Sequence, residues 1–178
     1  MNQNEIKAYI REIPDFPKPG IGFKDISPLL QSGAVFRRVV DQIAQLCEES
    51  GAVPDLVACP EARGFIFGSA LAYRLNAGFV PIRKPGKLPY KVNKAEYALE
   101  YGTDTVEIHI DAVNPEQKVL LVDDLLATGG TVGACLELLR GSRATIVGCA
   151  FLVELSFLDG RAQLGELPVI SLVNYDGE

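Results

Sequence analysis

The sequence predicts an α/β domain with a mostly parallel central sheet flanked by helices. Short apolar runs of strand length alternate with longer segments whose apolar residues recur at helical spacing. The run at 119–122 has four consecutive apolar residues, which is typical of a strand covered on both faces. No low-complexity linker divides the 178 residues, so one domain over residues 1–178 is expected.

The first part of the chain is predicted to form a small hood, from residue 1 to about residue 30. Apolar residues at helical spacing predict a short amphipathic helix over 4–13. The segment 14–28 is rich in Pro and Gly, which predicts a loop with at most a short strand near Phe23. The elements predicted next are a helix over 34–49, a strand over 56–59, a turn over 61–64, a helix to about Leu75 and a strand over 79–82.

Residues 83–102 are expected to form a lid loop. This segment has few aliphatic side chains, several lysines, and Pro and Gly as breaks. A long polar connection in a compact domain is typically a lid or a binding loop. The elements predicted after it are a strand over 105–110, a strand over 119–122, a helix over 132–139, a strand over 145–153 and a strand near a sheet edge over 169–173.

Composition excludes several classes of function. The formal net charge of -6 and the pI near 4.9 argue against a nucleic-acid-binding surface, which needs a basic stripe. No apolar run has transmembrane length, and the polar N-terminus does not resemble a secretory signal. We therefore expect a soluble cytoplasmic protein without a membrane or nucleic-acid partner.

Cysteine and histidine provide little material for metal or triad chemistry. Cys47, Cys59, Cys135 and Cys149 are far apart and include no Cys-x-x-Cys pair, so they are predicted to be reduced core residues. His109 is the single histidine. It alternates with isoleucines and is predicted to be an exposed strand residue rather than a catalytic one.

The strongest functional signal directly follows the buried run at 119–122. Asp123 and Asp124 are expected at the carboxyl end of that strand, where open α/β sheets bind their ligands. Carboxylates only accept hydrogen bonds, so adjacent acids suit the vicinal hydroxyls of a ribose. The glycine loop, residues 127–131, opens the next helix, and its amides and the helix dipole suit a phosphate. An Asp-Asp pair or a Gly-Gly pair alone is more often an ordinary turn. Neither a Walker A motif nor a strand-linked Gly-x-Gly-x-x-Gly motif is present, which disfavours an ATPase and a dinucleotide enzyme.

The motif at 119–131 resembles that of type I phosphoribosyltransferases, which bind phosphoribosyl pyrophosphate (PRPP). Further stretches resemble the branch of this family that uses adenine, so the similarity spans nearly the whole chain. They are FPKPGIGFKDISPLL at 16–30, EARGFIFG at 61–68, IRKPGKLP at 82–89, YALEYG at 97–102 and VEL at 153–155. The resemblance implies transfer of phosphoribose from PRPP to adenine in purine salvage, which gives AMP and pyrophosphate.

The residues and the resemblance together assign candidate roles. Asp123 and Asp124 are expected to bind the ribose. The remaining candidates are Ala127, Thr128, Gly129, Gly130 and Thr131 for the 5′-phosphate; Arg63, Gly64, Arg83, Lys84 and Lys87 for pyrophosphate; Gly22, Phe23, Lys24 and Leu155 for adenine; Glu100 as the catalytic proton handler; and Tyr101 in the lid. Many family members carry Arg at position 24, so at Lys24 a backbone role is favoured over a side-chain role.

Magnesium is the expected cofactor, bound through PRPP and water rather than by a direct protein ligand set, because pyrophosphate is usually neutralised by a hard cation. The resemblance also implies a homodimer, with the Arg63 turn or residues near it at the subunit boundary. Two alternatives remain open at this stage. One is transfer to another purine such as xanthine or hypoxanthine, and the other is a non-catalytic PRPP-sensing regulator.

Overall fold

A five-stranded parallel sheet forms the centre of the molecule. The structure, a computed structural model, describes residues 1–99 and 102–177. Its strands are β1 Arg11–Ile13, β2 Phe23–Asp25, β3 Leu56–Pro60, β4 Gly78–Ile82, β5 Val92–Leu99, β6 Gly102–His109, β7 Lys118–Leu126, β8 Thr145–Leu155 and β9 Val169–Tyr175. The central sheet has the order β4-β3-β7-β8-β9, and every neighbouring pair is parallel. The predicted sheet is confirmed, and β9 lies at an edge as expected.

Helices cover both faces of this sheet. They are α1 Gln3–Lys7, α2 Ser27–Gln31, α3 Gly33–Glu49, α4 Gly64–Arg74 and α5 Gly130–Gly141, and the short 3-10 helices Ser156–Leu158 and Gly160–Gln163 follow β8. Alternate residues of β7 serve different halves of the core. Leu120 and Val122 pack with α3 and α4, whereas Val119 and Leu121 pack with α5. Burial on both faces explains the uninterrupted apolar run of this strand.

The helices predicted after residue 30 are confirmed, but the first helix of the chain, α1, is shorter than expected. Asn2 and Glu5 form a capping box that starts α1, and the helix ends at Lys7. The predicted helix over 4–13 is therefore wrong in its second half, where β1 pairs antiparallel with β2. Pairing with a distant strand overrides the local helical spacing there.

Strands β5 and β6 form an antiparallel hairpin beside α5. The expectation of a loop over 83–102 is thus wrong for residues 92–99, which are a strand. Within β5, Ala95 is buried while Lys94 and Glu96 are exposed, so one face packs on the core. The polar residues between the inward positions hid this strand from the sequence pattern.

Two smaller predictions have different outcomes. All four cysteines are free and buried, as predicted. His109 is only half-buried rather than exposed, and its ring packs edge-on against Tyr90 with 6.1 Å between centroids. Nowhere in the described part of the chain is a helix both long and apolar enough to cross a membrane.

Candidate active site

One cavity of about 410 Å³ lies where β7 runs into the glycine loop and α5. Strand β7 continues to Leu126, so the two acids lie within its second half rather than just after it. The residues that line the cavity are Arg63, Tyr97, Asp123, Asp124, Leu125, Ala127, Thr128, Gly129, Gly130, Thr131 and Val132. The fold therefore brings the predicted ribose and 5′-phosphate residues to a single place. Sequence reasoning missed Tyr97, Leu125 and Val132 as lining residues.

The glycine loop has a backbone that few other residues tolerate. Gly129 caps the N-terminus of α5 with a φ of 82°, in the left-handed region that favours glycine. The loop lies at the positive end of the α5 dipole, and the first amides of a helix have no partner within it. This end of the cavity suits an anion such as a phosphate monoester.

Asp123 and Asp124 form a tightly coupled acid pair. The Asp124 amide donates a hydrogen bond of 2.8 Å to Asp123 Oδ1. Burial raises the pKa of the Asp123 carboxyl well above its ordinary value, and the charge of Asp124 raises it further. Burial also raises the pKa of Asp124, although the Arg63 guanidinium opposes this. Such a pair is stabilised by a ligand that brings hydrogen-bond donors to the carboxylates.

The turn between β3 and α4 presses closely on this pair. Arg63 Nε lies 2.9 Å from Asp124 Oδ2 in an ion pair that lacks hydrogen-bond alignment. A Cβ on Gly64 would lie 2.9 Å from Asp123 Oδ1 and 3.2 Å from the Val122 carbonyl oxygen, so this position requires glycine. The peptide bond between Glu61 and Ala62 in the same turn is cis.

The other predicted pyrophosphate cations do not line this cavity. They lie on the basic segment, residues 83–91, and each one contacts a carboxylate. Arg83 Nη2 lies 2.9 Å and Lys87 Nζ 3.5 Å from Glu61 Oε2. Lys84 Nζ pairs with Asp104 and also donates to the Tyr97 hydroxyl at 2.8 Å.

Glu61 and Asp104, which the sequence did not single out, therefore hold the basic segment. Burial alone would raise the pKa of the Glu61 carboxyl, but the Lys84 amide and the Arg83 guanidinium lower it below its ordinary value. A hydrogen bond from Lys84 lowers the pKa of Asp104 in the same way. Glu61 lies in the stretch that resembles the family, which was the one available signal for it. Asp104 had no such signal.

The residues expected to bind the base lie at two places in the chain, three of them at the start of β2 and one at the end of β8. Phe23 is half-buried. The Phe16 ring packs edge-on against it, with 5.1 Å between ring centroids, and the Arg63 guanidinium lies 5.1 Å from the centroid of the Phe23 ring. It helps to line a mostly apolar cavity of about 510 Å³ together with Phe16, Ile26 and Arg63. One ring thus connects the hood to the acid pair through Arg63.

Gly22, Lys24 and Leu155 are not among the residues that line either cavity in the described chain. Lys24 is 4% exposed, and its Nζ lies 3.0 Å from Glu12 Oε1 and 4.6 Å from the centroid of the Tyr175 ring. Its side chain therefore packs against Glu12 and against the Tyr175 ring on β9. Leu155 pairs with Tyr175 at the end of β8. Glu100 and Tyr101 lie outside the described residues.

Comparisons with known proteins agree on one family. The family model for the phosphoribosyl transferase domain matches residues 25–167. The adenine phosphoribosyltransferase of Synechocystis sp. is 55% identical over 171 residues, which are 96% of this chain and 99% of that protein. The protein of that name from Desulfitobacterium hafniense is 51% identical over 98% of this chain and 100% of its own length.

Solved structures give the same result. The crystal structure of adenine phosphoribosyltransferase from Thermoanaerobacter pseudethanolicus is similar with a TM-score of 0.94 and 53% identity, covering 98% of this chain and 100% of that one. The Saccharomyces cerevisiae enzyme, in complex with an imino-altritol bisphosphate and adenine, has a TM-score of 0.92 at 39% identity and covers 96% of this chain and 97% of its own.

Proposed function

The chain belongs to the phosphoribosyl transferase family, and we propose that it transfers the 5-phosphoribosyl group of PRPP to adenine, which yields AMP and pyrophosphate in purine salvage. The observation that carries this proposal is the shared cavity of the acid pair and the glycine loop. The choice of adenine is supported by relatives of that name along nearly the full length of the chain.

Each part of the cavity matches one part of a ribose phosphate. Asp123 and Asp124 accept hydrogen bonds from the two ring hydroxyls, which supply the donors that a buried acid pair lacks. The glycine loop receives the 5′-phosphate through its amides and the hydroxyls of Thr128 and Thr131. Arg63 and Tyr97, which also line the cavity, are left for the anomeric side of the sugar.

In the reaction, the bond from the anomeric carbon to the pyrophosphate oxygen breaks and a bond to an adenine nitrogen forms. Pyrophosphate leaves with the bonding electrons, so cations must lie close to it. Arg63, Arg83, Lys84 and Lys87 are the proposed cations. Except for Arg63, they must exchange Glu61 or Asp104 for phosphate oxygens.

We propose Mg²⁺ as the cofactor, which would neutralise part of the pyrophosphate charge. Asp123 and Asp124 are hard oxygen donors that fit this ion through the ribose hydroxyls or water. The described residues contain no group of three or more His, Cys, Asp or Glu side chains that could hold a metal. We propose that the substrate and water supply most of the ligands of this ion.

For the base, we propose stacking on Phe23 and recognition of the exocyclic amine by the backbone at Gly22 and Lys24, with Leu155 on the other side. The burial of the Lys24 side chain against Glu12 supports the backbone role. Glu100 is the proposed acceptor of the proton that adenine loses. Tyr101 is proposed to act in a lid over residues 83–102, and residues 1–30 are proposed as the hood of a single domain.

We also propose a homodimer with α4 at the boundary. Ile66, near the Arg63 turn, and Tyr73, near the other end of the helix, lie on one side of α4, and Tyr73 is 91% exposed. Large exposed apolar side chains on one helix face are typical of a protein interface. Light scattering should give twice the chain mass, and Tyr73→Glu should shift it towards the monomer. We propose a cytoplasmic location because the buried free thiols suit a reducing compartment.

One assay tests the function. The protein is incubated with PRPP, Mg²⁺ and adenine, hypoxanthine or xanthine in turn, and nucleotide formation is followed by chromatography. AMP from adenine, with little product from the other bases, supports the proposal. Product from another purine alone assigns a different base. PRPP binding without any product indicates a sensor and overturns the enzyme assignment.

A further inference from the structure

Residues 156–163 pack against the glycine loop. This stretch, the brace segment, contains both 3-10 helices. The backbones of the brace segment and the glycine loop approach closely at two glycines, Gly129 and Gly160. A Cβ on Gly160 would lie 2.2 Å from the Ala127 carbonyl oxygen, and a Cβ on Gly129 would lie 2.6 Å from the Gly160 carbonyl oxygen. Gln163 Cγ would be 2.9 Å from the same Gly129 Cβ. The position of the brace segment therefore limits the conformation of the glycine loop.

An ion pair between the half-exposed Arg161 and the buried Glu154 fixes the brace segment to the sheet. Arg161 Nε donates to Glu154 Oε1 at 2.6 Å, and Arg161 Nη2 donates to Glu154 Oε2 at 2.7 Å. Glu154 is 5% exposed and lies on β8 directly opposite Leu126, the residue before the loop. Two parallel charge-assisted hydrogen bonds give both strength and a defined orientation.

The pair differs from the other arginine pairs near the cavity. Arg63 and Arg83 contact acids at the proposed substrate site, whereas Arg161 does not line the cavity that holds the glycine loop. The hydrogen bond from Arg161 lowers the pKa of the Glu154 carboxyl, so the carboxylate is charged at neutral pH. The two hydrogen bonds from Arg161 thus connect the brace segment to β8, at the residue opposite the one that precedes the glycine loop.

We propose that Arg161 is a positioning residue for sugar-phosphate binding: paired with Glu154, it holds Gly160 and Gln163 against the glycine loop so that the loop amides keep a phosphate-binding geometry. This inference rests on the proposed function, because it assumes that the loop binds the 5′-phosphate. Arg161 acts through the backbone and does not touch the substrate.

The effect should be specific to one part of the substrate. Arg161→Met removes both hydrogen bonds while keeping much of the side-chain length. We expect the dissociation constant for ribose 5-phosphate to rise about tenfold. This factor corresponds to the free energy of roughly one charge-assisted hydrogen bond, which would no longer help to order the loop. Pyrophosphate, which has no 5′-phosphate, should bind as in the wild type. The KM for PRPP should rise with the same factor, while kcat at saturating PRPP changes little.

Titration calorimetry with ribose 5-phosphate and with magnesium pyrophosphate tests this inference on four proteins. They are the wild type, Arg161→Met, Arg161→Lys, and the control Arg74→Met, which loses surface ion pairs with Asp41 and Glu48 on α3. Arg161→Lys keeps one hydrogen bond and should show an intermediate loss; it also serves if Arg161→Met does not fold. The control should bind both ligands normally.

The outcomes separate this inference from the function on which it rests. Selective weakening of ribose 5-phosphate in the Arg161 variants supports the brace. Normal ribose 5-phosphate binding in these variants, or equal weakening of both ligands, overturns it. A wild type that does not bind ribose 5-phosphate at all contradicts the proposed function instead.

Discussion

Two groups of candidate site residues are built in different ways: the acid pair with the glycine loop, called the first wall, and the basic segment, called the second wall, whose cations do not line the cavity. On one wall, the acid pair and the glycine loop are neighbours in sequence, and buried strand β7 and helix α5 hold them. On the other wall, the basic segment is held by ion pairs to Glu61 and Asp104, which lie on other parts of the chain. Under the proposed function, only the first wall already has the arrangement that a ribose phosphate needs. The second has to exchange carboxylates for phosphate oxygens.

This difference has an electrostatic signature. Burial raises the pKa values of Asp123 and Asp124, so the first wall holds charge at a cost in stability. The cations lower the pKa values of Glu61 and Asp104, so the second wall is stabilised by its charges. The proposed substrate has a sugar and a charged pyrophosphate, and the two walls suit these parts separately. The acid pair supplies acceptors for the sugar, and the cations of the basic segment can change partner to bind pyrophosphate.

The largest expected effect comes from breaking the first wall. In Gly64→Ala, the new Cβ would press on Asp123 Oδ1 and the Val122 carbonyl. A displacement of about 1 Å at such a site costs about 100-fold in rate, so kcat/KM for PRPP should fall by that factor. Gly33→Ala is the matched control, because a Cβ there meets nothing within 4 Å. Steady-state kinetics check both variants, and near-normal activity of Gly64→Ala would show that the turn has room to move.

The second effect concerns the sugar. Asp124→Asn removes a charged acceptor and leaves Arg63 without its carboxylate. Since a hydrogen bond to a charged group contributes about 1.5–3 kcal/mol, the KM for PRPP should rise roughly 10- to 100-fold. The KM for adenine should stay within a factor of about three if the base is bound elsewhere. An unchanged KM for PRPP would remove Asp124 from the sugar site.

The third prediction uses the opposite pKa shifts of the two walls. A carboxyl with a raised folded pKa contributes stability at low pH that is lost as the pH rises through that pKa, so Asp123→Asn should stabilise the protein at neutral pH. A gain of about 1 kcal/mol is typical when a strained functional residue is replaced. Glu61 has a lowered pKa, and its contribution is present above the unfolded pKa and lost as the pH falls through the folded one.

Glu61→Gln should accordingly destabilise the protein by about 1 kcal/mol at neutral pH, and the difference from the wild type should vanish in acid, below the lowered pKa of the folded protein. Urea unfolding over a series of pH values from acid to neutral measures both variants. Shifts of the same sign in the two variants would contradict the distinction between the walls.

The smallest effect tests the exchange of partners directly. Asp104→Asn weakens the hold on Lys84 Nζ, so less interaction is lost when Lys84 turns to pyrophosphate. Because a half-exposed ion pair contributes only about 0.2–1 kcal/mol, pyrophosphate should inhibit about threefold more strongly. Product-inhibition kinetics give this constant. Weaker inhibition would mean that Asp104 orders Lys84 for binding instead of competing with the substrate.

The same contrast explains what the sequence predicted. The parallel sheet, the acid pair and the glycine loop were predicted because they depend on contiguous residues: a strand buried on both faces, then acids, then a helix start. The carboxylate partners of the basic segment were not predicted, because the β5–β6 hairpin brings Lys84 and Asp104 together from separate parts of the chain. The early end of α1 was missed for the same reason, since β1 pairs with a strand about a dozen residues away. The role of Glu100 stays a prediction.

A crystal structure with ribose 5-phosphate bound tests the central claim most directly. The proposed function predicts the phosphate against the amides of residues 127–131 and both ring hydroxyls within hydrogen-bond distance of Asp123 and Asp124. Sugar phosphate bound elsewhere, with this cavity filled only by solvent, would contradict it.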